Sequence, residues 1–326
     1  MVQRIVEAGQ IESLDPSAIP RLRMPVRAAA FSARAARLLQ LAEASNPIAG
    51  YLRLMAALAE AQQRVLANFE APMPARESIE LNQRHSMPIV PALSDTRDPA
   101  WRDVLFMLLD DIETAGALTP PLAQLVARLR ATEAAALDAQ ADAILALRFA
   151  EIDPAAAPFI AAALQVVWTD LASRIDMRDV PYLDTPGVCP VCGSVPVASI
   201  VRVGGAYDGY RFVQCGLCAT ELHVVRAKCS NCDSTKGIAY HAISAADIDV
   251  REEDRAEVAR RAPLKAESCD ECGTYRKIGY QEKAYDFEPF ADDLASLTLD
   301  LLMGDAGFRR AAPNPWLWPE QPRDER

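Results

Sequence analysis

Through most of the first 188 residues, apolar side chains recur three and four positions apart, the spacing of helices that bury one face. The clearest stripe runs Ile48, Tyr51, Leu52, Met55, Leu58, Ala59, Gln62, Val65, Leu66 and Phe69, with Gln62 its one polar member. Asn46-Pro47 ahead of it reads as an N-cap followed by proline at the first helical position. Asp98-Pro99 repeats the device ahead of Trp101, Val104, Leu105, Leu108, Leu109 and Ile112, and Thr119-Pro120 does so ahead of Leu122, Leu125, Val126 and Leu129. A further stripe carries Ile160, Leu164, Val167, Trp168, Leu171 and Ile175, while the Pro- and Met-containing stretch 71–97 reads as a long connection. The pattern predicts a bundle of about five to seven helices over residues 1–184.

Beyond residue 185 the helical period gives way to short β-like runs, PVASIVRV, YRFVQC and ELHVVRAKC, punctuated by Gly, Pro, Asn and Asp. Small ribbons and knuckles are expected there, and Gly204-Gly205 reads as a hairpin turn. The segment DIDVREEDRAEVARRAP fits a short helix or a solvated excursion. In ADDLASLTLDLLM, Leu294, Leu297, Leu301 and Leu302 fall on one helical face, predicting a single helix packed back on the body, with Asp292 and Asp293 as capping acids at its start. The tail 311–326 is expected to be irregular and docked by Trp316 and Trp318.

All eight cysteines lie in this second half, as four CxxC pairs: Cys189/Cys192, Cys215/Cys218, Cys229/Cys232 and Cys269/Cys272. Two residues between paired cysteines let one tight turn deliver two thiolates to the same ion, and two such turns complete a tetrahedral set of soft donors. Gly193 and Gly273 follow directly after their pairs, where a knuckle needs a positive φ; Gly216 sits inside the second pair. Eight sulfurs therefore suggest two metal ions, each bound by four cysteines. Three pairings of the knuckles are possible. Sequential pairing, Cys189/Cys192 with Cys215/Cys218 and Cys229/Cys232 with Cys269/Cys272, closes modest loops and is favoured over the nested arrangement. Zinc, a rubredoxin-like single iron and an iron–sulfur cluster all suit thiolates. The expected fold class is α+β: an N-terminal helical bundle (1–184), two small rubredoxin-like or zinc-ribbon-like metal modules (185–226 and 227–310), the second ending in the C-terminal helix, then the tail.

The formal charge of −11 argues against a nucleic-acid binder, which needs a concentrated excess of Lys and Arg. The first twenty residues lack a continuous apolar run, and no apolar stretch approaches the length of a membrane span, so a cytoplasmic protein is expected, with reduced thiols available to metal. No GxSxG elbow, P-loop or GxGxxG is present, and no catalytic residue is assigned. Thiol–disulfide exchange would want a CxxC between a strand and a helix, a setting none of the four clearly has. His85, His223 and His241 read as packing or surface residues. Arg202, Arg211, Arg226 and Lys228, interleaved with Tyr207, Tyr210 and Phe212, suggest either a peptide-docking face or the solvated side of a ribbon.

The words CPVCGSVPVASIV, YRFVQCGLCATELHVVRAKCSNC, KGIAYHAI, AESCDECGTYRKI and ADDLASLTLDLLM, with YLRLMAALAEAQ and PFIAAALQVVWTDLASRID upstream, resemble the formate dehydrogenase accessory protein (FdhE) family over residues 20–305. One departure is Leu222 before His223, where that family would have tryptophan. The resemblance implies a helical domain followed by two rubredoxin-like metal folds, with the eight cysteines as ligands and iron the favoured metal. It also implies an accessory role: binding the catalytic subunit of a respiratory formate dehydrogenase, which needs the accessory protein to become active before export. A metal- or thiol-dependent redox protein acting on that subunit is the alternative.

Overall fold

The computed structural model describes residues 20–43, 46–94, 97–116, 118–183, 185–243 and 252–318. The N-terminal part holds helices α1 (Ser32–Glu43), α2 (Ala49–Asn68), α3 (Arg76–Arg84), α4 (Ala100–Thr114), α5 (Pro120–Ala131), α6 (Ala134–Leu145) and α7 (Ala157–Arg174). The stripe residues of α4 are all buried, as are Leu52, Met55, Leu58, Ala59, Gln62 and Leu66 of α2. Among the described residues, no helix is long and apolar enough to cross a membrane.

Helix α7 exceeds the stripe read from the sequence: every residue from Ala157 to Ala172 is buried, and α2, α4 and α6 pack against it. Gln165 and Asp170 of this helix are paired, whereas the buried Thr169 hydroxyl has no partner among the described residues. Gln165 donates to the Gly216 carbonyl (2.7 Å), and Gln62 of α2 donates to Gln165 Oε1 (3.0 Å) and the Ala162 carbonyl (2.8 Å). The one polar member of the α2 stripe thus belongs to an internal polar bridge toward the cysteine region.

The expected caps are partly displaced. Asn46 Oδ1 accepts from the Ile48 amide (3.1 Å), but Pro47 lies in the turn and α2 begins only at Ala49. Asp98 likewise accepts from Ala100 (2.8 Å) with Pro99 as the cap, whereas Thr119-Pro120 opens α5 at the expected residue. Stretch 71–97 is more than a connection. It contains α3, and then Val90 and Ala92 donate backbone hydrogen bonds to the carbonyls of Val191 and Cys192 (both 2.8 Å). Pro88 and Pro91 keep this segment from becoming a regular strand, yet Ile89, Val90 and Ala92 are buried and Trp168 donates to the Val90 carbonyl (2.9 Å).

The strands are β1 (Leu22–Arg23), β2 (Pro196–Val201), β3 (Arg211–Cys215), β4 (Glu221–His223), β5 (Ile238–His241), β6 (Leu264–Cys269), β7 (Thr274–Tyr280) and β8 (Arg309–Arg310). They form one sheet in the order β1-β4-β3-β2-β7-β6-β5, with β8 alongside β7. Each half is an antiparallel set carrying two knuckles, and the halves join through the parallel pairing of β2 with β7, Ser199 opposite Ile278 and Ile200 opposite Gly279. The ion pair Arg211–Glu267 (2.7 Å), with both side chains buried, crosses the same junction. Gly204 and Gly205, both at positive φ, lie in the β2–β3 turn. Glu252–Arg261 is a helix, α8, which decides between the two readings of that segment.

The expected single C-terminal helix is two, α9 (Pro289–Ala295) and α10 (Leu297–Asp305). The break has a tertiary cause. Buried Lys277 donates to the carbonyls of Asp293 (2.7 Å) and Ser296 (3.1 Å) and to the Ser296 hydroxyl (2.9 Å), taking the carbonyls that end α9. The helical face consequently turns. Leu294 stays in the core, but Leu301 and Leu302 point outward and Leu299 and Met303 are buried instead. Asp292 does cap, accepting from the Glu288 amide (2.9 Å) while Glu288 accepts from Ala291 (2.6 Å), in the manner of a capping box. Asp293 does not: it is buried among Lys277, Arg310 and Asn314. Trp316 and Trp318 dock the tail as expected, Trp316 fully buried and edge-on to Phe290 (4.7 Å). Residues 319–326 of the tail lie outside the described residues.

Candidate metal centres

Each knuckle is a tight turn closed by its own backbone. The amides of Cys189, Cys215 and Cys229 donate to the carbonyls of Ser194, Thr220 and Ser234 (2.8–2.9 Å), and Cys269 pairs with Thr274 across the β6–β7 turn. The residue after the second cysteine is left-handed in all four: Gly193 (φ 80°), Ala219 (59°), Asp233 (61°) and Gly273 (63°). Glycine at two of them was the visible part of this signal; alanine and aspartate adopt the same conformation where the turn demands it. Gly216 serves another end, close approach: a Cβ there would press on Pro315 and on the Val195 carbonyl at 3.3 Å.

The eight sulfurs gather in two groups, Cys189/Cys192/Cys215/Cys218 and Cys229/Cys232/Cys269/Cys272, the sulfurs of each lying within 4.8 Å of one another. The nested grouping is not formed. Cross-knuckle separations are 3.6 Å (Cys189–Cys218), 3.4 Å (Cys192–Cys215), 3.9 Å (Cys229–Cys272) and 3.8 Å (Cys232–Cys269). A disulfide needs about 2.05 Å, and all eight cysteines are free. Four sulfurs on a tetrahedral ion at about 2.3 Å would stand about 3.8 Å apart, so the donor type, number and spacing fit one such ion per group.

The electrostatics point the same way. Burial pushes the Cys189 and Cys215 thiols up; it opposes the Cys218 thiolate too, but hydrogen bonds from Cys189, Cys192, Cys215 and Thr220 hold that group down. In the second group burial pushes Cys229 up to about 12, while Cys272, despite some burial, is held at about 6 by the Thr274 hydroxyl and amide. Four thiolates cannot be charged together in such a space without a cation among them. Around the sulfurs stand groups that spacing alone did not suggest. Thr220 Oγ1 is 3.2 Å from Cys218, Thr274 Oγ1 is 3.1 Å from Cys272, and Asn231 Nδ2 is 3.9 Å from Cys272. A signal for the hydroxyl residues was available, because every knuckle reads CxxC-x-Ser/Thr, with Ser194, Thr220, Ser234 and Thr274 in the last place.

The histidines stay outside both groups: His85 is exposed, His223 sits edge-on to Tyr210 and Phe212, burial lowering its pKa, and His241 bonds Ser268 (2.8 Å). Pairing and burial take three of the four suggested cations, while Arg226 is exposed and donates to the Gly209 carbonyl. Arg202 is bound to Glu221, Arg211 and Phe212 are inside, and Lys228 pairs with Asp233 (2.6 Å).

A helical bundle with a buried helix, fused to a mixed sheet that holds two four-cysteine knuckle sites, defines a class of α+β proteins with paired cysteine centres. Models of the FdhE N-terminal, central and C-terminal domains match residues 19–184, 188–226 and 227–317. The chain belongs to the FdhE family. It is 37% identical over 320 residues to a Protein FdhE homolog of Cronobacter sakazakii, covering 97% of this chain and 98% of that protein. To the Klebsiella pneumoniae subsp. pneumoniae homolog it is 37% identical over 314 residues, covering 96% of each. The crystal structure of the FdhE protein from Pseudomonas aeruginosa superimposes with a TM-score of 0.76 at 33% identity, over 93% of this chain and all of that one.

Proposed function

We propose that each four-cysteine group binds one metal ion, the eight cysteines being the ligands, and that the chain is a cytoplasmic accessory protein. In this reading it binds the catalytic subunit of a respiratory formate dehydrogenase, which depends on it to become active. The observation that carries the reading is family membership over nearly the whole length, with two four-sulfur groups in the one chain. Iron is favoured by the resemblance, and zinc fits the same donors. The metals' part is to hold the knuckles together; the chain's own residues then set which thiolates face solvent. The test is purification of the tagged chain from cells expressing a formate dehydrogenase, with formate oxidation measured in a strain lacking it. Co-purification of the catalytic subunit and loss of activity are expected; no complex together with normal oxidation would refute the role.

A redox role toward the same subunit is a second reading, favoured by the surface position of Cys232 and Cys272. It requires an iron-loaded chain whose visible absorption bleaches and returns on reduction and reoxidation.

A further inference from the structure

The two sites differ in how far they are closed. All four sulfurs of the first belong to the main hydrophobic core, continuous with α7 and the tail tryptophans. Segment 89–92 covers one knuckle through its hydrogen bonds to Pro190, Val191 and Cys192, and Pro315 and Gln165 close over Gly216 of the other. In the second site Cys229 and Cys269 are buried, but Cys232 and Cys272 reach the surface. Cys229 also lines an open groove of about 460 Å³ whose walls include Pro181, Tyr182, Val188 and Val225. Tyr182 and Val225 are mostly exposed there.

The two surface cysteines are not held alike. Cys272 has the Thr274 hydroxyl and the Asn231 amide on its sulfur. Cys232 receives the Ser234 backbone amide and, among the described residues, no donor side chain apart from its fellow cysteines. A thiolate with fewer hydrogen bonds and open to solvent is the one an entering ligand can replace.

We propose that the second site is a ligand-exchange site at which Cys232 yields its place to the thiol of another molecule, while the first site is closed to exchange. The inference rests on the reading that each site holds a metal. As the entering sulfur–metal bond forms and the Cys232–metal bond breaks, the incoming thiol's proton passes to the Cys232 sulfur, with no change in oxidation state. A partner's cysteine could in this way be bound directly through the chain's second centre.

The full-length chain loaded with cobalt(II) tests this. Two cobalt ions per chain with tetrathiolate absorption bands are expected first; fewer than two would overturn the metal reading and with it the inference. Pulse alkylation with N-ethylmaleimide, mapped by peptide mass spectrometry, should modify Cys232 at least about tenfold faster than any cysteine of the first site. Added mercaptoethanol should restore the tetrathiolate spectrum of Cys232→Ala and leave that of Cys218→Ala unrestored. Two bound ions with equal alkylation at both sites, or no rescue of Cys232→Ala, would overturn the inference while leaving the metal reading intact. Should Cys218→Ala fail to fold, the alkylation order in the unaltered chain decides.

Discussion

At Gly279, in β7, an added methyl would stand only 2.0–2.3 Å from three ring carbons of buried Phe287. Gly279→Ala is therefore expected to cost about 1–3 kcal/mol, the usual price of forcing extra volume into a packed core, measured by urea unfolding. A conformational penalty is absent, because Gly279 does not have a positive φ. The cysteines make a different kind of test. Replacing Cys192 or Cys232 by Ser should each lower bound metal from two ions per chain to about one, measured by elemental analysis of anaerobically purified protein. Retention of both ions in either variant would show that its sulfur is not needed for binding.

The elements of the second half are held together by buried charge as much as by apolar contact. Arg211 of β3 and Glu267 of β6 form a desolvated pair across the junction of the two sheet halves. Arg211→Met would remove the ion-pair partner of buried Glu267, at an expected cost of about 3–5 kcal/mol, whereas the double replacement Arg211→Met/Glu267→Leu should recover much of the loss. The cluster that ends α9 adds a pH dependence. Burial disfavours the Asp293 carboxylate, but Arg310 and Lys277 outweigh it and hold its pKa below the ordinary value. A depressed folded-state pKa contributes stability above the unfolded value, about 3.9, and that contribution is lost as pH falls through the lower folded value. Asp293→Asn should therefore melt below the unaltered chain at pH 7, with the gap narrowing once pH drops below about 4. A gap that stays constant would assign the loss to packing or hydrogen bonding.

Across the whole molecule the first centre is part of the helical core and the second is not. Cys189, Cys192, Cys215 and Cys218 lie in the same buried cluster as Leu52, Trp101 and Leu164, whereas the cysteines of the second site lie outside it. Disrupting the first site should propagate into the bundle: Cys192→Ser should lower the melting temperature of the helical circular-dichroism signal, and Cys232→Ser should leave it nearly unchanged. Equal shifts would mean that the sheet transmits the second site's loss to the helices.

Local pattern determined the helices α2, α4 and α5, the four knuckles and the docking of the two tail tryptophans, because periodicity, turn chemistry and large apolar side chains act over a few residues. The same range of action explains what it left undecided. That α7 is buried all round depends on what surrounds it, since an Ala-rich helix shows a stripe whether one face or every face is covered. The split between α9 and α10 comes from Lys277, a residue of β7 that no local pattern relates to Ser296. Segment 89–92, read as connection, acquired a role only when it met the first knuckle. Spacing by itself determined that eight thiolates could serve two ions and favoured which knuckles pair; tertiary structure alone decided that one centre is sealed in the helical core and the other stands at the surface. Ligand type is a property of residues, whereas exposure is a property of everything packed around them.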